Sequence, residues 1–359
     1  MSENQDQRHA QGGLSKVPLS ATPLKRKDFT SDQEVRWCPG CGDYAILSAV
    51  QGLLPELGIA RENTVVISGI GCSSRFPYYL NSYGMHSIHG RALTIATGLA
   101  ITRPDLAIMV ITGDGDALSI GGNHLIHALR RNVNITILLF NNRIYGLTKG
   151  QFSPTSEVGK ITKSSPAGSL DTPVNAVSLA LGAEATFVAR SIDADRAHLT
   201  SVLRAAFEHR GSSLVEIYQN CPIFNDGAWD ALTAPDSEGI IRLEAGQPVL
   251  TSGGRLGVVQ ASDGHLELAP VSEVGLEKVI VHDPTATDPT RAFALSRLTD
   301  SGLMRRSPIG VFREVDRPCY DDLSREQIAT AQGRMSPDLH GKTSQLQALL
   351  AGDDTWAVG

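Results

Sequence analysis

The sequence predicts an α/β fold with a mostly parallel sheet, and three observations support this prediction. Residues 107–112 and 135–140 are continuous apolar runs of strand length, as expected for buried strands. The segment between them has an apolar face at helical spacing and is too long for a hairpin, so the two strands should be parallel. Polar residues follow each run directly: Gly113-Asp114-Gly115-Asp116 after the first and Asn141-Asn142 after the second.

Composition and charge exclude several classes of protein. The chain has 359 residues, of which 41% are hydrophobic, so it can bury a substantial core and is not expected to be disordered. A formal net charge of −6 gives no reason to expect nucleic-acid binding. No apolar run is long enough to span a bilayer, and the N-terminus lacks an apolar signal segment. We therefore expect a cytoplasmic protein with no membrane partner.

The patterns divide the chain into three parts. Residues 1–30 are polar with few recurring apolar positions, which predicts a flexible tail. Residues 31–225 alternate between strand and helix patterns and form the predicted main domain. Residues 226–359 consist of short β-like pieces and turns without a catalytic constellation, which predicts a C-terminal extension packed on the main domain or on a partner subunit. Besides the central pair, the predicted strands of the main domain cover residues 64–68, 185–189 and 214–218, and its helices cover about 44–54, 93–99, 118–131, 176–181 and 195–209.

The polar residues at the two central strand ends predict a bound metal ion. Parallel neighbours end at the same sheet edge, so Asp114 and Asn142 should lie close together, where open α/β sheets bind ligands. A carboxylate, an amide oxygen and a nearby main-chain carbonyl, for which Ile144 is well placed, are hard ligands suited to Mg²⁺. The glycines allow the backbone to approach a phosphate. The sequence thus predicts a diphosphate held through Mg²⁺, and the alternative is a solvated Gly-Asp turn.

These residues carry a first resemblance. Gly113-Asp114-Gly115, followed after 25 residues by Asn141-Asn142, resembles the signature of thiamin-diphosphate enzymes. The resemblance implies a parallel-sheet thiamin-diphosphate-binding fold. It also implies that Asp114, Asn142 and the main-chain carbonyl of Ile144 hold the metal.

Five cysteines in an unsecreted chain point to metal or redox chemistry and not to a disulfide framework. Cys38-Pro39-Gly40-Cys41 follows Trp37, as in thioredoxin-like redox pairs, but the polar residues 30–36 do not form the buried strand that such a pair should follow. The pair could instead supply two ligands of an iron–sulfur cluster or of zinc. Two unrelated buried cysteines are the remaining alternative.

A second resemblance narrows the family. Cys38 and Cys41, Cys72 in Ile-Gly-Cys-Ser, and Cys221 in a Cys-Pro at a strand end resemble the cluster ligands of 2-oxoacid:ferredoxin oxidoreductase β subunits. The motifs His-Gly-Arg-Ala, Asn-Asn-x-Ile-Tyr-Gly and Gly-Gln-x-Ser-Pro-Thr extend the resemblance over about residues 35–230. It implies a [4Fe–4S] cluster on these four thiolates, which is the right number. Zinc is a minor alternative, and Cys319 is left over with a structural role.

The same resemblance implies the residues that contact cofactor and substrate. Two of them are assigned to catalysis, His89 against thiamin diphosphate and Arg75 near the oxoacid. The charge of Arg75 would suit the distal carboxylate of 2-oxoglutarate, and a structural salt bridge is the alternative. Besides the metal ligands, the implied thiamin diphosphate contacts are Ile70, Gly71, Cys72, Ser73, His89, Gly115, Asp116, Gly146 and Leu147.

The implied function is oxidative decarboxylation of 2-oxoglutarate to succinyl-CoA, with electrons passing through the cluster to ferredoxin and coenzyme A taking the acyl group. The glutamate that activates thiamin is not evident in this chain, so the resemblance implies a separate α subunit, an α₂β₂ assembly and no activity of the chain alone. Three alternatives remain open. They are a pyruvate or other 2-oxoacid oxidoreductase, a non-oxidative thiamin decarboxylase, and a cluster-binding electron-transfer subunit without thiamin.

Overall fold

The computed structural model of the chain describes residues 12–235 and 237–334, together with 346, 347, 349, 350 and 352. Within this part, eleven strands form one sheet in the order β12-β11-β10-β9-β13-β7-β8-β4-β3-β1-β2, and β5 and β6 form a separate pair. The strands are β1 (Thr64–Ser68), β2 (Tyr83–His86), β3 (Ala107–Gly113), β4 (Ile135–Asn141), β5 (Ile144–Tyr145), β6 (Gln151–Phe152), β7 (Phe187–Ile192), β8 (Ser212–Tyr218), β9 (Ile240–Leu243), β10 (Leu250–Thr251), β11 (Leu256–Gln260), β12 (Leu266–Pro270) and β13 (Ser307–Glu314).

Helices cover both faces of this sheet. In the described part of the chain the α-helices are α1 (Asp43–Leu57), α2 (Phe76–Tyr79), α3 (Ala92–Thr102), α4 (Asp114–Leu118), α5 (Gly122–Arg131), α6 (Ala176–Gly182), α7 (Arg196–Glu208), α8 (Asp230–Thr233), α9 (Val271–Val274), α10 (Thr290–Ser296) and α11 (Tyr320–Arg334). Short 3₁₀ turns cover Arg26–Phe29, Arg61–Asn63, Ser73–Arg75 and Leu276–Lys278. None of the described helices combines the length and apolar character needed to cross a bilayer.

The predicted fold class is confirmed. Six consecutive strands of the sheet, β2, β1, β3, β4, β8 and β7, run parallel to one another. The apolar runs that predicted β3 and β4 are buried along almost their whole length, because helices cover both faces of the sheet. One buried apolar cluster lies on the face covered by α3, α5 and α6, and a second lies on the face covered by α1 and α7.

The order of the strands places a crevice between β1 and β3. From β1 the chain continues to β2 on one side, whereas from β3 it continues to β4 on the other side. The loops after β1 and β3 therefore diverge at the carboxyl ends of the strands. Such a switch point is where open α/β sheets bind ligands.

Three elements differ from the sequence-based prediction. The helix expected at 118–131 is divided into α4 and α5, because Gly121 and Gly122 interrupt it. The edge strand β2 was not predicted, since all four of its residues are exposed and it has no apolar alternation. The strand expected at 185–189 begins two residues later, at Phe187.

Residues 12–30 and the strands β9 to β13 belong to the same folded unit as the parallel strands. Strand β13 pairs antiparallel with β7 and parallel with β9, so β9 to β12 extend the parallel half of the sheet. Residues 12–30 differ from the expected flexible tail, because Leu14, Val17 and Phe29 are buried in the core. Three well-spaced apolar side chains are enough to hold this polar segment in place. Residues 1–11 of the predicted tail lie outside the described residues.

Candidate active site

The crevice after β1, β3 and β4 forms a cleft of about 460 Å³, including its open mouth. Every residue that the sequence assigned to the diphosphate, thiamin or Mg²⁺ lines this one cleft. These residues are Ile70, Gly71, Cys72, Ser73, His89, Asp114, Gly115, Asp116, Asn142, Ile144, Gly146 and Leu147. The prediction joined segments up to 77 residues apart in the chain, and the register of the parallel strands brings them together.

Asp114 begins α4 directly after β3, and its side chain is buried. Its Oδ2 accepts hydrogen bonds from the hydroxyls of Ser153 and Thr155, each at 2.6 Å. Burial raises the pKa of Asp114 to about 6, and the two hydroxyls oppose that shift because they stabilise the charged form. A buried carboxylate of this kind gains from a cation placed at its free side.

The loop that the sequence predicts to hold the metal, residues 142–144 and called the metal loop below, has an unusual backbone. Arg143 has φ of +58°, which side-chain-bearing residues seldom adopt. This turn lets the amide N–H of Ile144 donate to Oδ1 of Asn142 at 3.2 Å. The main-chain carbonyl of Asn142 in turn accepts a hydrogen bond from Nδ2 of Asn225 at 2.9 Å. Two hydrogen bonds within the protein therefore hold the backbone of this loop.

The side chain of Arg143 explains how this backbone is held. Its guanidinium is buried and donates to the carbonyls of Thr155 at 3.0 Å, Ser301 at 2.7 Å and Gly302 at 3.1 Å. It also pairs with Glu157 at 3.3 Å. The metal loop is thus anchored to the C-terminal part of the chain, and no sequence motif indicated this contact.

A buried polar chain leads from the cleft into the sheet. Arg190 and Glu216 form an ion pair at 2.7 Å, with each side chain at most 2% exposed. Glu216 accepts a hydrogen bond from Nδ2 of Asn141 at 2.7 Å. The hydroxyl of Thr155 lies 2.9 Å from Oδ1 of Asn141 and 2.6 Å from Oδ2 of Asp114, and its single hydrogen serves one of them at a time. The only sequence signal for this pair was a glutamate, Glu216, within the strand predicted at 214–218, since Arg190 lies just beyond the strand predicted at 185–189.

Two of the four predicted cluster cysteines, Cys72 and Cys221, face the same space beside the cleft. A Cβ placed on Gly146 would lie 3.5 Å from Sγ of Cys72 and 3.7 Å from Sγ of Cys221. Cys41 accepts a hydrogen bond from Nε2 of Gln219 at 3.3 Å, and Cys38 lies on the exposed turn before it. In the described residues, no three His, Cys, Asp or Glu side chains are already arranged to hold a metal ion. The cysteines are free thiols, and so is the buried Cys319.

The charge environment of these thiols is set mainly by burial. Burial raises the pKa of Cys72 to about 12 and raises that of Cys41 further, and the negative charge of nearby Asp43 adds to both shifts. Asp43 is itself buried at the start of α1, and burial raises its pKa to about 7. A thiolate at this position therefore requires positive charge close by.

Arg75 is placed differently from the other predicted residues. It ends the 3₁₀ turn Ser73–Arg75, which follows the cleft loop, and it does not itself line the cleft. Its guanidinium has no ion pair and no hydrogen bond within the described part of the chain, so the structural salt bridge considered above is not seen there. Its positive charge lowers the pKa of Cys72 slightly against the larger effect of burial.

The parallel sheet and the cleft at its switch point define an α/β ligand-binding domain. In agreement, residues 69–217 match the family described as thiamine pyrophosphate enzyme, C-terminal TPP binding domain. The chain is also similar to the 2-oxoglutarate oxidoreductase subunit KorB of Mycobacterium tuberculosis, with 61% identity over 95% of this chain and 91% of that protein.

One further relative and a solved structure indicate the same family. The 2-oxoacid:ferredoxin oxidoreductase 1 subunit beta of Aeropyrum pernix is 46% identical over 53% of this chain and 60% of that protein. A structure of 2-oxoglutarate:ferredoxin oxidoreductase from Magnetococcus marinus, with 2-oxoglutarate, coenzyme A and succinyl-CoA bound, matches with a TM-score of 0.73 and 32% identity. The match covers 92% of this chain and 99% of that one. The chain belongs to the family of 2-oxoacid:ferredoxin oxidoreductase β subunits, and it is an oxidoreductase subunit.

Proposed function

We propose that this chain is the β subunit of a 2-oxoglutarate:ferredoxin oxidoreductase that uses thiamin diphosphate, Mg²⁺ and a [4Fe–4S] cluster. One observation carries this proposal: the predicted thiamin and metal residues line a single cleft, and Cys72 of that cleft lies beside Cys221. A cofactor in the cleft would thus be next to the cluster that takes its electrons. The subunits of the relatives named above carry the same activity in their names.

The residues present fit Mg²⁺ and a diphosphate. Asp114, Oδ1 of Asn142 and the carbonyl of Ile144 would supply three oxygen ligands, and the diphosphate and water would complete the octahedron. Gly115 lies at the cleft wall beside Tyr145, whose hydroxyl donates to its carbonyl at 2.8 Å. The protein would bind and orient the diphosphate here, whereas thiamin diphosphate supplies the nucleophilic carbon and electron sink for decarboxylation.

The residues also fit a [4Fe–4S] cluster. Gly146 leaves the space between Cys72 and Cys221 open, whereas any larger residue would place a carbon atom there. Cys38 and Cys41 would supply the other two ligands. Cys38 is exposed, so the cluster would lie close to the surface at which a one-electron carrier such as ferredoxin can accept electrons.

The atoms and electrons of the proposed overall reaction balance. One carbon–carbon bond of 2-oxoglutarate breaks and CO₂ leaves, a thioester forms with coenzyme A, one proton is released, and two electrons go to a one-electron carrier. A cluster held by these cysteines would supply the one-electron relay. Arg75 would supply positive charge for the distal carboxylate, since its guanidinium makes no other ion pair in the described residues. A pyruvate-acting enzyme would not need this charge.

The residues that line the cleft also support the proposal that the chain requires a partner subunit. Its acidic lining residues in the described part of the chain are Asp114 and Asp116, and no glutamate is among them. We therefore assign the activating glutamate to an α subunit, in an α₂β₂ assembly. We also propose residues 31–225 as the catalytic unit with 226–359 as its extension. Five free thiols favour a reducing compartment, in line with the expected cytoplasmic location.

The first experiment is co-expression with the presumed α subunit and purification without oxygen. CoA-dependent reduction of a one-electron acceptor should be faster with 2-oxoglutarate than with pyruvate. Arg75→Ala should raise the KM for 2-oxoglutarate by about tenfold or more, as expected for the loss of a charged contact. A preference for pyruvate that Arg75→Ala leaves unchanged would exclude the 2-oxoglutarate assignment.

A second experiment separates the cluster from the thiamin site. Cys221→Ala should abolish the iron and the cluster absorbance of the purified complex, whereas the matched variant Cys319→Ala should retain both. Thiamin diphosphate binding is titrated on the same samples. A complex that holds iron but does not bind thiamin diphosphate would instead favour a pure electron-transfer subunit.

A further inference from the structure

The carboxylate of Asp116 joins three segments of the chain that form the cleft. Its Oδ1 accepts hydrogen bonds from the backbone N–H of Ile70 at 3.2 Å and of Gly90 at 2.9 Å. The same oxygen lies 2.7 Å from Nδ1 of His89. Its Oδ2 accepts the hydroxyl of Thr112 at 2.8 Å. One buried side chain therefore connects the loops after β1, β2 and β3.

The surrounding glycines show how closely this arrangement is packed. A Cβ on Gly69 would lie 1.9 Å from Oδ2 of Asp116, so only glycine fits beside the carboxylate. Gly90 has φ of +66°, and a Cβ there would lie 2.5 Å from the backbone nitrogen of Gly121. The backbone on both sides of His89 is thus held, and its ring has little freedom to leave Asp116.

The hydrogen bond also determines which nitrogen of His89 carries a proton. A carboxylate only accepts hydrogen bonds, so Nδ1 of His89 must donate to Oδ1 of Asp116. Nε2 is then the acceptor in the neutral ring. In the described part of the chain Nε2 has no hydrogen-bond partner, and the ring, with its side chain 42% exposed, lines the cleft.

We propose that Asp116 is a positioning residue that orients His89 and fixes its tautomer, so that Nε2 presents an acceptor to the ligand in the cleft. The proposal rests on the proposed function and deepens it. It assigns the side chain of Asp116 to His89 and not to the diphosphate, because both of its carboxylate oxygens already accept hydrogen bonds from protein groups. Asp116 is nevertheless one of the residues that line the cleft.

A competing role for Asp116 is to hold only the backbone of Ile70 and Gly90. Asp116→Asn separates the two roles, because its amide oxygen can still accept both N–H groups while the negative charge is lost. Hydrogen bonds to charged groups are roughly twice as strong as neutral ones, so we expect kcat to fall about tenfold. The Kd for thiamin diphosphate should change by less than about threefold.

A double-mutant cycle with His89→Ala shows whether Asp116 acts through His89. In the His89→Ala background, Asp116→Asn should change kcat by less than about twofold, because the group that it positions is absent. Asp105→Asn is the matched control, since it removes an exposed carboxylate paired with Arg103 far from the cleft. Equal losses in both backgrounds, or wild-type kcat for Asp116→Asn, would overturn the proposal.

The tautomer of His89 can be determined by a measurement that does not depend on enzymatic activity. Long-range ¹H–¹⁵N spectra of the full chain, labelled in histidine and purified with its partner subunit, report which ring nitrogen is protonated, and His89→Gln assigns the signal. We expect His89 to carry its proton on Nδ1 in the wild type, and this preference should weaken in Asp116→Asn, because the amide oxygen that still faces Nδ1 is a weaker acceptor than the carboxylate. A proton on Nε2 in the wild type would contradict the proposal. If the complex oxidised no oxoacid but showed the expected tautomer, the proposed function alone would fail.

Discussion

At the scale of single residues, the fold buries the Asp114 side chain in an environment that destabilises its ionised form. Asp114 is buried although burial raises its pKa to about 6, so the ionised form is destabilised near neutral pH. The ordinary pKa of an aspartate is about 3.9. Stability associated with this group therefore decreases as pH rises from about 4 to about 6. A bound cation would reverse this effect.

Asp114→Asn tests this conflict between stability and binding. The metal-free variant should be more stable than the wild type at pH 7, by about 2 kcal/mol in unfolding free energy, because no buried charge remains. Its affinity for thiamin diphosphate with Mg²⁺ should fall by at least about 100-fold. Urea unfolding and calorimetric titration measure the two quantities. Unchanged affinity would remove Asp114 from the metal site.

His209 makes a separate contribution to pH dependence. It is buried with Nε2 2.8 Å from the hydroxyl of Thr186, and burial lowers its pKa to about 4. The unfolded chain, with a histidine pKa near 6.5, binds the proton first, so stability decreases as pH falls from about 6.5 toward 4. Between pH 6.5 and 5 the loss from this residue should be about 2 kcal/mol. Urea unfolding of His209→Gln should show a correspondingly smaller pH slope.

At the scale of elements, the metal loop depends on a contact distant in sequence. The backbone of residues 142–144 is held by Arg143, whose guanidinium donates to carbonyls at residues 155, 301 and 302. Lysine cannot bridge three acceptors in this planar way. The loop therefore depends on the C-terminal part of the chain for its conformation.

Arg143→Ala should weaken Mg²⁺-dependent binding of thiamin diphosphate by about tenfold or more, because the ligands Asn142 and Ile144 lose their fixed spacing. The measurement is a titration with Mg²⁺ at constant thiamin diphosphate. Arg305→Ala, at an exposed arginine of the same C-terminal segment, is the matched control and should bind normally. Equal effects of both variants would show general destabilisation and not a role in the loop.

Elements with a strong local pattern could be predicted, and those defined by distant contacts could not. The buried runs of β3 and β4 and the polar residues after them located the cleft, because parallel strands end at one edge. Strand β2 has four exposed residues and no periodic signal, so only its pairing with β1 defines it. The roles of Arg143 and Glu216 depend on partners that the sequence does not show to be near.

At the scale of the whole molecule, the ion pair between Arg190 and Glu216 belongs to a hydrogen-bond network that links the parallel strands to residues 299 and 307. Arg190 lies on β7 and Glu216 on β8, and Nη1 of Arg190 also donates to Ser307 at 3.0 Å and Thr299 at 2.9 Å. The pair therefore joins the parallel strands to the C-terminal extension. Through Asn141 it also reaches the cleft.

Arg190→Met should lower the unfolding free energy by about 3–5 kcal/mol, because Glu216 would remain buried without its partner. Replacing both residues by methionine should destabilise the chain less than the single change, since no unpaired charge is left. Denaturant unfolding of the three proteins gives the comparison. A double variant that is less stable than Arg190→Met would contradict this account.

Cys72 contributes to the cleft and also to the space that Cys221 faces. It lies in the loop that lines the cleft, and its sulfur faces the same space as that of Cys221. Under the proposed function, damage by air at the cluster would therefore also reach one wall of the thiamin pocket, so the two cofactors would share one point of vulnerability.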